Sequence, residues 1–442
     1  MGRLFGTDGI RGVANVDLTP ILAYDLGRAV GHLLEASGRG VVIGQDPRRS
    51  GEMLVAAVSA GLASVGADAI QLGVVTTPCL AHAAASGDYA AGIMVSASHN
   101  PADDNGLKVL SGGRKIDDEV EEELERLIFQ AESLPGRTNA EIGRITRESE
   151  PVARYRAALI AEAGDALRGM RIGVDCANGS ASVMVPGLLR ELGASVTVLS
   201  AAPDGVNINL DCGSTHPEAL AAAVVAGNLE MGMAFDGDAD RLIAVDEHGT
   251  IVDGDGVMGI CALAQLASGT LRNRILVTTV MSNGGLERAI TAAGGRMLRT
   301  PVGDRHVFEA MERADASLGG EQSGHIIFRD IAAAGDGMLT GIQLARTLRA
   351  AGATLGQLAE QIPRLPQVVI NSTVRHRDQW EVDPEFAAAV TEADLRLGAR
   401  GRILVRPSGT EPKIRIMVEG EDADEINQIA RELSELAHAR LN

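Results

Sequence analysis

Short apolar runs alternate with longer amphipathic segments along most of the chain. Thr19 and Pro20 predict the start of a helix, because apolar residues follow them at helical spacing. Residues 41–43 then have the pattern of a buried strand. Ser50 is predicted to cap a second helix, and residues 69–75 return as a strand. This order of strands and helices predicts a layered α/β sheet at the start of the chain.

The same alternation begins again further along the chain. After a polar stretch at residues 130–151, predicted as a linker, new sheets start at residues 171–175 and at residues 274–277. Beyond Pro363 and Pro366, three strand patterns and a final amphipathic helix follow. We therefore expect three α/β units and a smaller C-terminal α+β unit. The predicted domains span residues 1–150, 151–254, 255–365 and 366–442.

The first loop that can carry chemistry follows the apolar run at residues 91–95. That run ends in a polar turn containing Ser98 and His99, and Lys108 comes soon after. In open α/β sheets the carboxyl ends of the strands form the ligand crevice, so Ser98 is the first nucleophile candidate. Taken alone, the segment is more typical of an ordinary turn.

The second loop carries three aspartates at every second position between two strand-like runs: Asp236, Asp238 and Asp240. Like charges packed this closely repel one another unless a cation neutralises them. Their hard oxygen ligands suit magnesium or calcium rather than zinc. The loop therefore predicts a magnesium site, and the alternative is a solvated acidic turn.

A calcium-binding hand is the sharper alternative for this loop. Glu247 falls at the last ligand position of such a hand. However, Arg241 stands where the hand requires a glycine, and the flanking residues alternate like strands instead of helices. Magnesium is therefore the favoured ion.

The third loop runs from Gly319 to His325 and is rich in glycine. Glu321 and Ser323 lie two positions apart, so in an extended segment both side chains would face one side and could bind neighbouring sugar hydroxyls. A plain glycine-rich turn is the alternative that this segment alone favours.

The fourth loop is built for an anion. It lies between two strand patterns and combines hydroxyl groups, a glycine that allows close approach of backbone amides, and two arginines that can grip phosphate oxygens. These residues are Arg406, Ser408, Gly409, Thr410 and Arg415. A simple hairpin would not need two arginines and Lys413 around a Ser-Gly-Thr turn.

Composition limits the possible partners. The chain has 442 residues and a formal charge of −19, which argues against nucleic acid or an anionic membrane as the partner. The charge is compatible with a homodimer. The four cysteines are widely spaced and no apolar stretch is long enough to cross a bilayer, so a cytoplasmic protein with reduced thiols is expected.

Together the four loops supply a nucleophile, a metal site, a ring-binding edge and a phosphate clamp, which phosphoryl transfer on a sugar phosphate requires. From the segment Phe5–Gly12 to the C-terminal helix, the chain resembles the α-D-phosphohexomutase family. Residues 207–216 and Gly320–His325 resemble the branch that acts on glucosamine phosphates. The resemblance implies three similar mixed-sheet α/β domains and a smaller C-terminal α+β domain around a central cleft.

The resemblance also implies roles for individual residues. Ser98 would carry the phosphoryl group and complete the magnesium site with the three aspartates. The implied catalytic residues are Ser98, Lys108, Arg11 and His99. The implied sugar contacts are Glu321, Ser323 and His325, and the implied phosphate contacts are Arg406, Ser408, Gly409, Thr410 and Arg415. Residues 46–51 resemble a further family segment, in which Arg48 is the expected contributor.

The implied reaction interconverts glucosamine 6-phosphate and glucosamine 1-phosphate, a step that feeds the synthesis of UDP-N-acetylglucosamine and the cell wall. It would require one Mg²⁺ per subunit and would pass through phosphoserine and glucosamine 1,6-bisphosphate. Three alternatives stay open: a phosphoglucomutase or phosphomannomutase, a metal-dependent sugar phosphatase, and a non-catalytic sugar-phosphate sensor.

Overall fold

The computed structural model describes residues 4–6, 8–34, 39–407 and 412–442. These residues form four sheets of seven, five, four and three strands in chain order. The first three sheets mix parallel and antiparallel strands and carry helices, whereas the last is antiparallel. The predicted fold class, three α/β domains and a smaller C-terminal α+β domain, is confirmed.

The first sheet has the strand order β1-β5-β4-β2-β3-β7, with β6 paired to β5. Its strands are β1 (Ile10–Val13), β2 (Val41–Gln45), β3 (Ala69–Val74), β4 (Ala91–Val95), β5 (Asp104–Ser111), β6 (Arg114–Lys115) and β7 (Ile145–Arg147). Its helices are α1 (Pro20–Leu33), α2 (Gly51–Ser64), α3 (Thr77–Ala85) and α4 (Asp118–Phe129).

Two local expectations in this first unit are wrong. Ser50 precedes α2, but its hydroxyl does not cap that helix and instead accepts a hydrogen bond from Asn105 Nδ2 at 2.8 Å. The polar stretch at residues 130–151 is not purely a linker, because β7 within it pairs with β3. Thr19 does cap α1, by accepting from the backbone of Leu22.

The second sheet has the order β12-β11-β10-β8-β9, and the third has the order β14-β13-β15-β16. The second unit contains α5 (Glu150–Ala163), β8 (Arg171–Asp175), α6 (Ala181–Glu191), β9 (Ser195–Leu199), α7 (Glu218–Ala226), β10 (Met231–Phe235), β11 (Leu242–Val245) and β12 (Ile251–Val252). The third contains α8 (Gly254–Ser268), β13 (Ile275–Thr279), α9 (Gly284–Ala292), β14 (Arg296–Thr300), α10 (Asp304–Ala314), β15 (Leu318–Gly320), β16 (Ile326–Phe328), α11 (Gly337–Ala351) and α12 (Leu355–Ala359).

The C-terminal unit packs two helices on a sheet of order β17-β19-β18. Its elements are β17 (Gln367–Thr373), α13 (Pro384–Leu397), β18 (Gly401–Pro407), β19 (Lys413–Gly420) and α14 (Ala423–Arg440). The buried side chains of this unit, among them Phe386, Ile416 and Ile429, form a hydrophobic core of their own. By contrast, the second and third units share one continuous core.

Three candidate loops occupy equivalent places in the first three sheets. In each sheet a strand pairs with a parallel neighbour on one side and with an antiparallel hairpin partner on the other: β4 with β5, β10 with β11, and β15 with β16. The loop inside that hairpin carries Ser98 in the first sheet, the three aspartates in the second and Glu321 in the third. The fold therefore presents one polar hairpin loop from each α/β unit.

Among the described residues, no helix is long and apolar enough to cross a membrane. The four cysteines are all buried and form no disulfide.

Candidate active site

The hairpin loops of the three α/β units meet one another. Ser98 Oγ donates a hydrogen bond of 2.5 Å to Asp236 Oδ2 of the second unit. Arg241, which follows the aspartates, forms an isolated β-bridge with His325 of the third unit. Gly324 makes this approach possible, because its φ is +93° and a Cβ there would lie 2.3 Å from the carbonyl oxygen of Leu242.

The Ser98 loop holds the serine in a restrained conformation. Ser98 has a φ of +52°, which L-residues with a side chain rarely adopt, and it is 1 % exposed. Its backbone N–H donates to Ser96 Oγ at 2.9 Å, and the Ser96 hydroxyl donates in turn to Asp46 Oδ2 at 2.6 Å. The hydroxyl of Ser98 is thereby directed at the aspartate loop.

The three aspartates form a compact set of oxygen ligands. One carboxylate oxygen from each of Asp236, Asp238 and Asp240 lies within 4.8 Å of the others, and all three residues are buried. Asp238 Oδ1 and Asp240 Oδ1 accept no hydrogen bond from any residue that the structure describes. Burial, together with the charges of Asp240 and Asp238, raises the pKa of Asp236 well above its usual value. Hard, clustered and partly unpartnered oxygens fit a divalent cation such as Mg²⁺.

Lys108 lies beside the aspartates on β5. Its Nζ is 2.8 Å from Asp238 Oδ2, 3.9 Å from Asp240 Oδ2 and 3.2 Å from Asp8 Oδ2. Although burial opposes ionisation of Asp238, the charge and the hydrogen bond of Lys108 hold the pKa of this carboxyl below its usual range. The ammonium group of this first-unit lysine is thus fixed beside the aspartates of the second unit.

Asp8, Lys115 and Asp304 belong to the same polar cluster and were not predicted as site residues. Asp8 pairs with Arg11, Lys108 and Lys115, and Lys115 Nζ also lies 2.9 Å from Asp304 Oδ1. Burial lowers the pKa of Lys115, although Asp304 opposes the shift. Lys115 lies only seven positions after Lys108, a spacing that could have suggested the pair; nothing local in the sequence relates Asp304 to either lysine.

His99 lies next to the serine and is held neutral. Its Nδ1 is 3.4 Å from Ser98 Oγ. Burial, followed by the positive charges of Arg241 and Arg11, lowers its pKa to about 4. At neutral pH the imidazole beside the serine hydroxyl is therefore uncharged.

The third loop forms a turn, as its glycine-rich sequence taken alone favours, and not the extended segment in which Glu321 and Ser323 would face one side. Gly324 N donates to the carbonyl of Glu321, and Glu321 N donates to the carbonyl of His325. Glu321 Oε1 accepts from the backbone of Gly303 at 3.0 Å, whereas the buried Ser323 hydroxyl has no hydrogen-bond partner among the described residues. His325 Nε2 lies 4.0 Å from Asp240 Oδ2. This contact places the third loop beside the loop that carries the three aspartates.

The fourth loop is described in part. Arg406 of β18 and Arg415 of β19 stand opposite each other in the antiparallel register, and both are partly exposed. Ser408, Gly409 and Thr410 lie outside the described residues. Burial and the positive charge of Arg415 lower the pKa of Arg406. Two arginines that repel each other in this way would be stabilised by a bound anion.

A cavity of about 620 Å³ opens between the first and third units, beside the polar cluster that contains Lys115 and Asp304. Its lining includes Lys108, Lys115, Asp240, Asp304 and His325. The cavity is large enough for a small polar metabolite, because ligand pockets typically measure about 300–1,000 Å³.

Comparison with known proteins covers almost the whole chain. Models of the phosphoglucomutase/phosphomannomutase family match four segments: α/β/α domain I at residues 2–135, domain II at 153–249, domain III at 253–365 and the C-terminal domain at 369–436. The chain is 49 % identical to phosphoglucosamine mutase of Moorella thermoacetica, with 99 % of each chain covered. It is 47 % identical to phosphoglucosamine mutase of Mycobacterium marinum, over 99 % of this chain and 100 % of that protein.

The fold is also similar to solved structures. A phosphoglucomutase/phosphomannomutase family protein from Burkholderia thailandensis superposes with a TM-score of 0.83 at 28 % identity, covering 98 % of this chain and 97 % of that one. An N-acetylphosphoglucosamine mutase from Aspergillus fumigatus shares the fold with a TM-score of 0.70 at 17 % identity, covering 100 % and 96 %. From the four matched domains and the full-length relatives, we conclude that the chain belongs to the phosphoglucomutase/phosphomannomutase family of phosphohexomutases.

Proposed function

We propose that this chain is a phosphoglucosamine mutase that interconverts glucosamine 6-phosphate and glucosamine 1-phosphate through a phosphorylated Ser98. The observation that carries the proposal is the 2.5 Å hydrogen bond from Ser98 Oγ to Asp236, which sets a nucleophile of one unit on the carboxylate cluster of the next. The choice of an amino sugar rests on the full-length relatives, which are named phosphoglucosamine mutase.

Asp236, Asp238 and Asp240, with Ser98, would hold the metal ion. We propose Mg²⁺, because it prefers carboxylate and hydroxyl oxygens and tolerates an incomplete protein shell. When bound, the ion supplies positive charge that offsets the negative charge on the transferring phosphoryl group.

In the first half-reaction, the anomeric oxygen of glucosamine 6-phosphate attacks the phosphorus on Ser98, and the bond from phosphorus to Ser98 Oγ breaks. Lys108, held as an ammonium by Asp238 and Asp8, stabilises negative charge on the reacting oxygens, and the proton of the attacking hydroxyl ends on the Ser98 Oγ that leaves. The product is glucosamine 1,6-bisphosphate and a free serine hydroxyl. Arg11, which also pairs with Asp8, contributes positive charge on the same face.

In the second half-reaction, the bisphosphate turns so that its 6-phosphate faces Ser98. Ser98 Oγ attacks that phosphorus, the bond to the sugar oxygen breaks, and glucosamine 1-phosphate is released. Neutral His99, with Nδ1 3.4 Å from Ser98 Oγ, is a hydrogen-bond partner of the serine in this step, and the proton that the serine loses ends on the sugar oxygen that leaves. Glu321, Ser323 and His325 would contact the sugar ring.

The phosphate that does not react needs a separate site that can release it. We assign that role to Arg406 and Arg415, together with Ser408, Gly409 and Thr410. Opening and closing of the C-terminal unit would let the bisphosphate turn. The four free, buried cysteines support a reducing compartment, and we propose the cytoplasm.

Phosphorus NMR can test the proposed reaction directly. The protein is mixed with Mg²⁺, a trace of glucosamine 1,6-bisphosphate and excess glucosamine 6-phosphate, and the experiment is repeated with glucose and mannose 6-phosphates. We expect glucosamine 1-phosphate to form fastest. Equal or faster turnover of glucose or mannose phosphate would instead identify a phosphoglucomutase or phosphomannomutase, and release of inorganic phosphate alone would identify a phosphatase.

A further inference from the structure

The carbonyl oxygens of the Ser98 loop converge on one buried guanidinium group. Arg48 Nη2 donates to the carbonyls of Ser98 at 3.0 Å and of Asn100 at 2.8 Å. Its Nη1 donates to the carbonyl of Asp104 at 3.0 Å and also to that of Pro101. Arg48 is 2 % exposed, so these contacts exclude water. A single side chain therefore fixes the backbone from Ser98 to Asp104.

Arg48 fixes this loop while its charge is balanced locally. Its Nε lies 3.0 Å from Asp46 Oδ2, and the same carboxylate oxygen accepts the hydrogen bond from Ser96 that leads to the backbone of Ser98. Both Asp46 and Arg48 are buried. Unlike Lys108, the Asp46–Arg48 pair consequently orients the Ser98 loop and adds little net positive charge to the site.

A side chain of the second unit donates hydrogen bonds to the same two carbonyls. Asn209 Nδ2 donates to the carbonyl of Ser98 at 2.9 Å and to that of Asn100 at 3.0 Å. Gly237, inside the aspartate loop, lies against the Ser98 carbonyl, since a Cβ there would be 2.5 Å from that oxygen. Asn209 belongs to the same unit as the aspartates, so its amide fixes the position of the serine loop relative to the metal loop.

The hydrogen bonds from these two side chains account for the left-handed backbone conformation of Ser98. A left-handed conformation is unfavourable for an L-residue with a side chain, and it persists only where surrounding contacts enforce it. Here two donors from different units, Arg48 and Asn209, enforce it through the Ser98 carbonyl itself. Small displacements of a reacting group can slow a reaction strongly.

We propose that Asn209 and Arg48 are positioning residues for phosphoryl transfer, which hold the Ser98 loop in register with the aspartate loop across the boundary between the first and second units. The inference rests on the proposed mutase function. Neither residue needs to touch the sugar, so their loss should slow the chemical step and leave sugar binding almost unchanged.

The test uses Asn209→Gly in the full chain. Asn209 has a φ of +59°, so glycine removes the amide without straining the backbone. The matched control is Asn228→Gly, because Asn228 is an exposed asparagine of the same unit with a φ of +48°. We expect kcat for glucosamine 6-phosphate to fall about tenfold to a hundredfold in Asn209→Gly, with KM within about twofold of the control and a cooperative thermal unfolding transition retained. A kcat equal to that of Asn228→Gly, or a loss confined to KM, would overturn the positioning role.

Arg48→Lys provides a second variant, because lysine keeps the positive charge but cannot donate hydrogen bonds to all four carbonyl oxygens. We expect the same fall in kcat with KM retained. Where that buried change prevents folding, Asn209→Gly decides alone. A wild-type chain that turns over no hexose phosphate contradicts the proposed function together with this inference, whereas an active wild type with an unaffected Asn209→Gly contradicts only the inference.

Discussion

The centre around Ser98 and the arginine pair of the C-terminal unit are both suited to phosphate, but they differ in how firmly they are built. At the first, the side chains of Lys108 and Asp238 are at most 2 % exposed and form an ion pair across two units. At the second, Arg406 and Arg415 are partly exposed and face each other with like charge. The comparison suggests that bond making requires fixed groups, whereas the grip on the other phosphate must be reversible.

The connection between the C-terminal unit and the third unit agrees with this contrast. Arg402 donates to the carbonyls of Val280 and Ser282 at 2.8 and 2.7 Å, and Glu419 accepts from the backbone of Gly284 at 2.9 Å. Hydrogen bonds to charged groups such as these contribute about 1.5–3 kcal/mol each and can be exchanged for hydrogen bonds to water. Since the C-terminal unit has its own core, it can shift without exposing a shared one.

The largest effect should come from Ser98→Ala. Removal of the hydroxyl leaves no group to carry the phosphoryl, and we expect mutase turnover to fall by about a thousandfold or more. Sugar binding through the C-terminal arginines should survive, which calorimetry with glucosamine 1-phosphate can measure. Substantial residual turnover would show that the Ser98 centre is not where bonds form.

Asp238→Asn should have the next largest effect. The variant removes one charge from the carboxylate cluster and weakens the ion pair with Lys108, so turnover should fall about a hundredfold and half-maximal rate should require more Mg²⁺. Asp246→Asn is the control, because Asp246 is a buried aspartate of the same sheet that accepts from the backbone of His248 and Thr250. Identical Mg²⁺ dependence in both variants would refute the metal assignment.

Arg415→Gln should act on binding instead. Hydrogen bonds to a charged group contribute about 1.5–3 kcal/mol, so we expect KM to rise about tenfold to a hundredfold while kcat changes less. Arg396→Gln, an exposed arginine of the same unit paired with Glu425 and Glu432, should behave like wild type. A fall in kcat at constant KM would erase the distinction between the two regions.

The smallest effect on turnover is expected at Asp255, which lies between the two regions. Its Oδ2 accepts from Gln322 Nε2 at 3.1 Å and from the backbone of Asn283 at 2.8 Å. Burial, then the charge of Asp253, raises the pKa of Asp255 from 3.8 to about 6. Between these values the folded chain binds more protons than the unfolded chain, so this contribution to stability is present at low pH and is lost as pH rises through about 6.

The corresponding measurement compares wild type with Asp255→Asn by urea unfolding at several pH values. The free energy of unfolding of wild type, relative to the variant, should fall by about 2–3 kcal/mol between pH 4 and pH 7. Subtracting the free energy of unfolding of the variant from that of wild type cancels the contributions of all other titrating groups. A difference that stays constant or grows with pH contradicts the buried, proton-binding state of Asp255.

Sequence patterns predicted much of this architecture because the apolar runs are short and the polar loops interrupt them sharply. Ser98 and the three aspartates could be identified from residues next to a strand. Asp304 could not, because its pairing with Lys115 joins positions 189 residues apart and depends on how two units pack. The contacts of the turn at Glu321 could not be predicted for a related reason: they follow from the tight hairpin between β15 and β16 and the close contact with Leu242, which spacing alone does not reveal.

The proposed reaction requires above all that the phosphoryl group passes through Ser98. The direct measurement is to load the serine with labelled phosphate from glucosamine 1,6-bisphosphate, remove the sugar, and add unlabelled glucosamine 6-phosphate with Mg²⁺. We predict that the label leaves the protein and appears on the sugar at a rate no slower than turnover. A label that stays on the protein while turnover proceeds, or that leaves only as inorganic phosphate, would contradict the account.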